Sequence, residues 1–382
     1  MTIAAPQNPR NTAPEPGSGP SAPITDSINL ERASLSLTSG RLPRWVPWAL
    51  LAAAAGLTLP VFLMLAAAEA SEMHVGGWLV SAAVIYLVLI FTLSTIVESR
   101  RKAVDRLVTG LVAGAFLLAM IPLVSVAWTV VSLGVARMDA DFFSMSMRNV
   151  VGEGGGALHA IVGTLLVTLA AAVISIPIGL FTAIYLIEYG RGRLARGITF
   201  LVDVMTGIPS IVAGLFAYAL FALFFGPGVR MGIMGSIALA VLMIPVVVRS
   251  SEEMLRLVPN ELREASYALG VPKWLTIVKV VLPTSIAGIT TGIMLSISRV
   301  IGETAPLLIT AGFTASMNYD LFNGRMQTLP VFTYNQYVSQ GIPAEAYLDR
   351  AWASALTLIV IVMLLNLIAR VIAKVFAPRS SR

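Results

Sequence analysis

Eight apolar runs, each long enough to cross a bilayer, limit what this chain can become. They lie at about 46–68, 78–97, 107–133, 158–187, 198–225, 231–250, 284–312 and 352–376. A spanning helix needs about 20 predominantly apolar residues. Backbone in hydrocarbon finds no water, so runs of this length satisfy their own hydrogen bonds as helices. The predicted fold class is therefore all-α and polytopic, with about eight transmembrane helices. Composition agrees. Only 12% of residues are charged, against roughly 25% in soluble domains, and the mean hydropathy is +0.84. Six runs contain a proline (Pro60, Pro122, Pro177, Pro209, Pro245, Pro306), which in membranes marks kinked or broken helices. Gly110/Gly114 and Gly288/Gly292 have the small-residue spacing of closely packed helices.

The basic residues assign a side to these helices. With the N-terminus inside and the runs alternating, 20 of the 26 Lys and Arg fall in inside regions. Five (Arg137, Arg148, Arg230, Arg325, Arg350) fall outside, and Arg299 lies within a run. That asymmetry is the positive-inside rule, and it predicts both termini in the cytoplasm. The net charge of +6 thus marks a membrane side and carries no nucleic-acid footprint. Residues 1–44, rich in Pro, Ser and Ala, predict a disordered cytoplasmic tail and lack the layout of a secretory signal. There is no cysteine, so disulfides and thiolate metal sites are excluded. The only histidines are His74 and His159, and neither an H-E-x-x-H nor a G-x-S-x-G sequence occurs, which leaves a membrane enzyme without a site.

Between the sixth and seventh runs stands "EASYALGVPKWLTIVKVVLP", residues 264–283, too polar to span. Asn260 is placed to cap a helix whose first turn carries Glu261 and Glu264. Leu255, Val258, Leu262, Ser266 and Leu269 follow a three-to-four spacing that gives one apolar face. Gly270 suits a helix end and Pro272 stops continuation. A turn-rich piece, Lys273–Val281, then leads to Pro283, where the next span is predicted to begin. Two short helices at an angle would form a cytoplasmic knob, which by itself also describes a loop packed on its own bundle. The spacing Glu264-Ala265-Ser266, then Gly270, then Leu282-Pro283 resembles the "EAA…G" coupling motif of ABC-importer permeases, with Ser266 where alanine is usual. The resemblance implies that the element docks on a separate ATPase. No G-x-x-x-x-G-K-[ST] occurs in this chain, so it has no P-loop of its own.

Ionisable residues inside spans are costly, about 2.5–3.5 kcal/mol on insertion scales, and mark pathways or buried pairs. "SISRVIGETAPLLIT" puts Arg299 and Glu303 four residues apart, on one face of a helix. Two readings fit: an intrahelical pair that neutralises both, or an anion path in which the guanidinium fork meets a tetrahedral oxyanion. Thr304 follows directly. Asp203 lies near the cytoplasmic end of the fifth run, where an interfacial role fits equally well. Pro209 and Ser210 would interrupt that run and offer freed backbone groups and a hydroxyl to a passing ion.

The stretches "GALHAIVGTLLVTLAAAVISIPIGLFTAIYLIEYG", "GIPSIVAGLFAY", "SRVIGETAPLLITAGF" and "TLPVFTYNQY" together resemble the PstA-type permease family of high-affinity phosphate ABC importers, over about residues 107–376. The resemblance implies a permease core, 101–382, with coupling helices 252–283, preceded by an extra two-helix hairpin, 45–100. It also implies a transport subunit, not an enzyme, in a bacterial plasma membrane. Its implied partners are a second, PstC-like permease, a PstB-like ATPase dimer holding ATP and Mg, and an extracytoplasmic PstS-like phosphate-binding protein. Within the family, the arginine and glutamate that match Arg299 and Glu303 are associated with phosphate passage. The predicted outside connections, 134–157 and 313–350, mix aromatic and polar residues, as docking surfaces and simple covers both do. A permease for sulfate, molybdate or phosphonate is the nearest alternative. An ATPase-independent secondary transporter would show inverted repeats, which are not evident, and would have no use for the coupling motif.

Overall fold

The computed structural model describes residues 42–69 and 74–376, and every regular element among them is helical. The predicted tail, 1–44, lies outside the described residues apart from its last three. Seven helices are long and apolar enough to cross a membrane. An eighth crossing requires counting a pair of helices bent by 110° as one. The prolines explain which runs break. Pro60, Pro122, Pro177 and Pro245 sit inside continuous helices. Pro209 does not: it follows Gly207 and Ile208, which leave the helical path, and it caps the next helix. Proline lacks an N–H and disfavours helical backbone in the residue before it, so two helices form there.

The chain divides into two compact units between Leu123 and Val124. The first holds α1 (Val46–Glu69), α2 (Val75–Val97) and the first two-thirds of α3 (Arg100–Gly134). Trp78 Nε1 donates to the Ala55 carbonyl, 3.2 Å, tying α1 to α2. At the α2–α3 junction the Glu98 carboxylate accepts from the Leu42 N–H (2.8 Å), the Ser94 hydroxyl (2.9 Å) and Arg106 Nη2 (3.0 Å). Burial alone would push its pKa up; the Leu42 N–H, Ser94 and Arg106 outweigh that and hold it below the ordinary carboxylate value. The junction is thus fully stabilised above that ordinary value and loses the contribution as pH falls through the lowered one. A Cβ at Gly110 would fall 2.6 Å from Leu87 Cδ2, so this glycine permits close packing, whereas Gly114 faces open space.

The second unit contains α4 (Ala140–Ser144), α5 (Leu158–Ile184), α6 (Gly192–Thr206), α7 (Ser210–Phe225), α8 (Gly232–Arg256), α9 (Asn260–Ala268), α10 (Lys273–Thr276), α11 (Leu282–Val300), α12 (Ala305–Thr310), α13 (Leu329–Val338) and α14 (Ala344–Phe376). Its centre is the α5–α8 pair. Val167, Ala171, Leu239, Met243 and Val247 are buried there together with Val300 and Leu307. Close approach needs small residues: a Cβ on Gly179 would lie 2.6 Å from Val247 Cγ1. Further along α8, Gly288 and Gly292 of α11 admit Met254 and Ser250, as their spacing led us to expect.

The connections predicted as loops, 134–157 and 313–350, carry structure of their own. They contain α4, α13 and the first turns of α14, and bury Phe142, Met147, Leu329 and Phe332 in a second core. Arg350, expected in a connection, is buried in α14. Its Nη1 donates to the carbonyls of Gly152 (2.7 Å) and Gly154 (3.0 Å), and its Nε to Gln336 Oε1 (2.9 Å). The acceptors are backbone carbonyls of a glycine-rich turn, which residue patterning does not reveal.

Two outcomes are expected. Gly292→Val places a Cβ 2.4 Å from Ser250 Cβ, so thermal unfolding in detergent should show a loss of about 1–3 kcal/mol. Glu98→Gln should remove the loosening of the α2–α3 junction between neutral and acidic pH, read as protease sensitivity near Ser99.

Candidate functional site

The motif at 264–283 folds into two helices joined by a tight turn. Gly270 takes φ +76°, the left-handed geometry that glycine adopts at least cost. Its N–H bonds to Tyr267 O (2.9 Å) and the Val271 N–H to Ser266 O (3.2 Å), closing the end of α9. Ser266 has a definite task. Its buried hydroxyl shares a 2.8 Å hydrogen bond with Thr276 Oγ1 of α10, stapling the two helices. Alanine at this position would leave Thr276 without that partner.

Three expectations are corrected here. Asn260 is not a cap: Pro259 holds that position, and the Asn260 side chain accepts from Arg263 Nη1 at 3.3 Å. The predicted single apolar face divides, with Leu255, Val258 and Ser266 buried while Leu262 and Leu269 are exposed. The piece 273–281 is no turn. It runs as α10, then a π-helical stretch Ile277–Val281, then α11, one 28-residue helix from Lys273 to Val300. Pro283 sits just inside α11, where the wider π turn has already released the backbone ladder. The result is a rod of about 42 Å running from the knob into the seventh span.

The knob is held by side chains that the sequence reading did not select. Arg263, nearly buried, donates Nε to Glu188 Oε1 (3.0 Å), Nη1 to Val258 O (2.6 Å) and Nη2 to Leu255 O (3.0 Å). Glu188 lies in the π-helical extension of α5, Tyr185–Tyr189. Lys273 reaches the Glu188 carbonyl and stands 4.8 Å from the Tyr189 ring centre. One guanidinium therefore joins the ends of α5 and α8 to α9. The available signal was Glu188 itself, the one acidic residue between Leu158 and Arg191. Glu264 and Ala265, by contrast, are exposed, as is Pro283, with Leu282 half-buried beside it. Leu257, Tyr267, Leu269 and Trp274 are exposed in the same element.

The seventh span is broken where Arg299 and Glu303 lie. Arg299 occupies the last turn of α11 and is exposed; Glu303 lies beyond the helix, its N–H bonded to Val300 O at 3.1 Å. The two are not on one helical face. Among the described residues no ion pair joins them and neither side chain has a protein partner, so the self-neutralising intrahelical pair is not formed. Val300, Ile301, Pro306 and Leu307 are buried on both sides of the break and fix it. Thr304 and Ala305 line a cleft of about 500 Å³ with Pro330, Thr333, Tyr334 and Tyr337, into whose wall the unpartnered Thr333 hydroxyl is buried.

Pro209 is exposed at the cap of α7 and Ser210 half-buried at its start. One turn on, Gly214 lies against Pro306, so that the helices following the two breaks pack together. Asp203 is placed elsewhere: it pairs with Arg249 of α8, which also holds Glu252 at 2.8 Å. That pairing ties α6 to α8. No hydrogen bond or ion pair connects Asp203, Pro209 or Ser210 to Arg299 or Glu303 among the described residues. No group of three or more His, Cys, Asp or Glu there forms a metal site.

Helices long and apolar enough to cross a membrane seven or eight times define a polytopic membrane protein. Residues 175–382 match the family model "Binding-protein-dependent transport system inner membrane component". Among curated relatives, the phosphate transport system permease protein PstA 1 of Mycobacterium tuberculosis is 47% identical over 276 residues, 72% of this chain and 90% of that protein. PstA of Mycobacterium leprae is 45% identical over 71% of this chain and 89% of its own, and PstA of Yersinia pestis 39% over 73% and 95%. The chain belongs to this family of inner membrane components, as a PstA-type permease of an ABC importer.

Arg263→Met should leave Glu188 buried without a partner, at a cost of about 3–5 kcal/mol. The expected readout is a lowered melting temperature together with proteolysis between Leu257 and Pro272. The double variant Arg263→Met/Glu188→Met should recover much of the loss.

Proposed function

We propose that this chain carries inorganic phosphate into the cell as one half of a permease pair, by alternating access. The observation that carries the reading is Arg299. A guanidinium is exposed at the break of a membrane helix with no ion-pair partner among the described residues. Its cost is offset when an anion occupies its fork of donors. Glu303, just past the break, limits how tightly such an anion is held, which a conducting site requires. The PstA relatives support phosphate as that anion.

The proposed partners follow the same logic. An ATPase dimer, binding ATP and Mg in its own chains, docks on the knob around Glu264, where exposed Leu269 and Trp274 offer apolar contacts. A second permease subunit completes the pore, and a phosphate-binding protein delivers the ion from the extracytoplasmic side. The charge asymmetry supports both termini in the cytoplasm and a bacterial plasma membrane location.

The test is ATP-driven uptake of labelled phosphate, sulfate and molybdate into proteoliposomes containing the assembled transporter. Phosphate uptake that requires the ATPase is expected. Arg299→Ala should reduce it by about 30–150-fold, the equivalent of about 2–3 kcal/mol for charge-assisted hydrogen bonds, with the complex still assembled. Glu264→Lys should weaken ATPase docking and leave the choice of anion unchanged. Wild-type uptake by Arg299→Ala would overturn the assignment of the path. Uptake of a different anion would overturn phosphate, and uptake without the ATPase would overturn the coupling.

A further inference from the structure

The N-terminal unit contains a groove that the transport reading does not use. The groove has a volume of about 960 Å³ and runs between α1, α2 and α3. Trp48 and Leu51 of α1, Leu87 and Ile90 of α2, and Leu111 and Leu117 of α3 form apolar walls. Its α3 wall includes Gly114, where an added Cβ would meet nothing within 4 Å. Charge is confined to one end, where Arg44, Asp105 and Arg106 form the rim. Arg106 is held by Glu98 at 3.0 Å. Arg44 is exposed and has no ion pair among the described residues.

We infer that this groove binds one glycerophospholipid of the inner leaflet, its phosphate at Arg44 and Arg106 and its acyl chains along the apolar walls. Three observations select a lipid over a protein helix. First, the groove is one leaflet deep. Its α3 wall runs from Asp105 to Leu117, about 18 Å of helix. A transmembrane helix seated there would need the full hydrocarbon thickness of about 30 Å. Second, the charges are arranged as a headgroup requires. Two guanidinium groups suit a phosphate diester, and the Asp105 carboxylate suits the ammonium or hydroxyls beyond it. Third, the end with the arginines is the one that the proposed orientation places in the cytoplasm. The site lies between the hairpin 45–100 and the first part of α3, and gives that hairpin a task of its own.

Native mass spectrometry of the full-length chain in detergent, titrated with dioleoylphosphatidylglycerol, tests the inference. Wild-type protein should retain one lipid at about a tenfold lower concentration than Gly114→Leu, which fills the groove, or Arg44→Ala, which removes the rim cation. Gly56→Leu adds the same bulk to α1 outside the lining residues and should bind as wild type does. Equal retention by all four proteins would overturn the site. Unchanged retention in Gly114→Leu with lost association between permease subunits would also overturn it, by assigning the groove to a protein helix. Phosphate uptake is measured separately, so failure of lipid binding and failure of the transport reading are distinguishable.

Discussion

The Arg263 guanidinium is the interaction on which the second unit's architecture depends. It spends its donors on one carboxylate and two backbone carbonyls belonging to the ends of two long helices. Buried ion pairs add little net stability, because desolvation nearly cancels attraction. Their value is geometric: a guanidinium with fixed donor directions admits few arrangements of its partners. The ends of α5, α8 and α9 are therefore set in one relation, and the Ser266–Thr276 staple adds α10 to it. Force applied to an exposed knob of this kind moves the knob as a body instead of fraying it.

From that body a continuous helix leads to the break. The rod from Lys273 to Val300 is continuous through its π turn, which is packed by Ile277 and Val281, and Pro283 falls where the ladder is already released. Its far end is anchored too, since Val300 and Leu307 belong to the same core as Val167, Leu239 and Met243. In the proposed mechanism, displacement at the knob is delivered at residues 301–304, beside Arg299. In the proposed mechanism, an ATPase pressing on the knob changes what Arg299 faces without altering the helix that carries it.

The sequence showed the apolar runs, the broken fifth run at Pro209, the knob and its glycine turn, because each rests on local chemistry. Helical breaks at Gly302 and Pro306 were less legible. Proline interrupts some membrane helices and not others, depending on whether neighbours satisfy the freed groups; Pro177 and Pro245 stay inside helices while Pro209 and Pro306 start new ones. This is also why Arg299 and Glu303, four residues apart, do not share a face. Arg263–Glu188 was invisible for another reason: the partners are 75 residues apart, and no spacing rule reaches that far. Asp203 was read as a path candidate or an interfacial group, and its pairing with Arg249, 46 residues on, was beyond any spacing rule too.

The central claim is that knob and rod move as one rigid body. The chain has no cysteine, so spin labels can be attached solely at introduced positions. Ala268 and Gly302 are both exposed and lie at the two ends of the body. The decisive measurement is the distance between labels at these two positions in the assembled transporter, with and without a non-hydrolysable ATP analogue. The expected result is one narrow distribution, unchanged to within about 2 Å. A shift approaching one helical turn, about 5.4 Å, or a broad distribution in either state would show that the rod slips or bends, and would contradict the account.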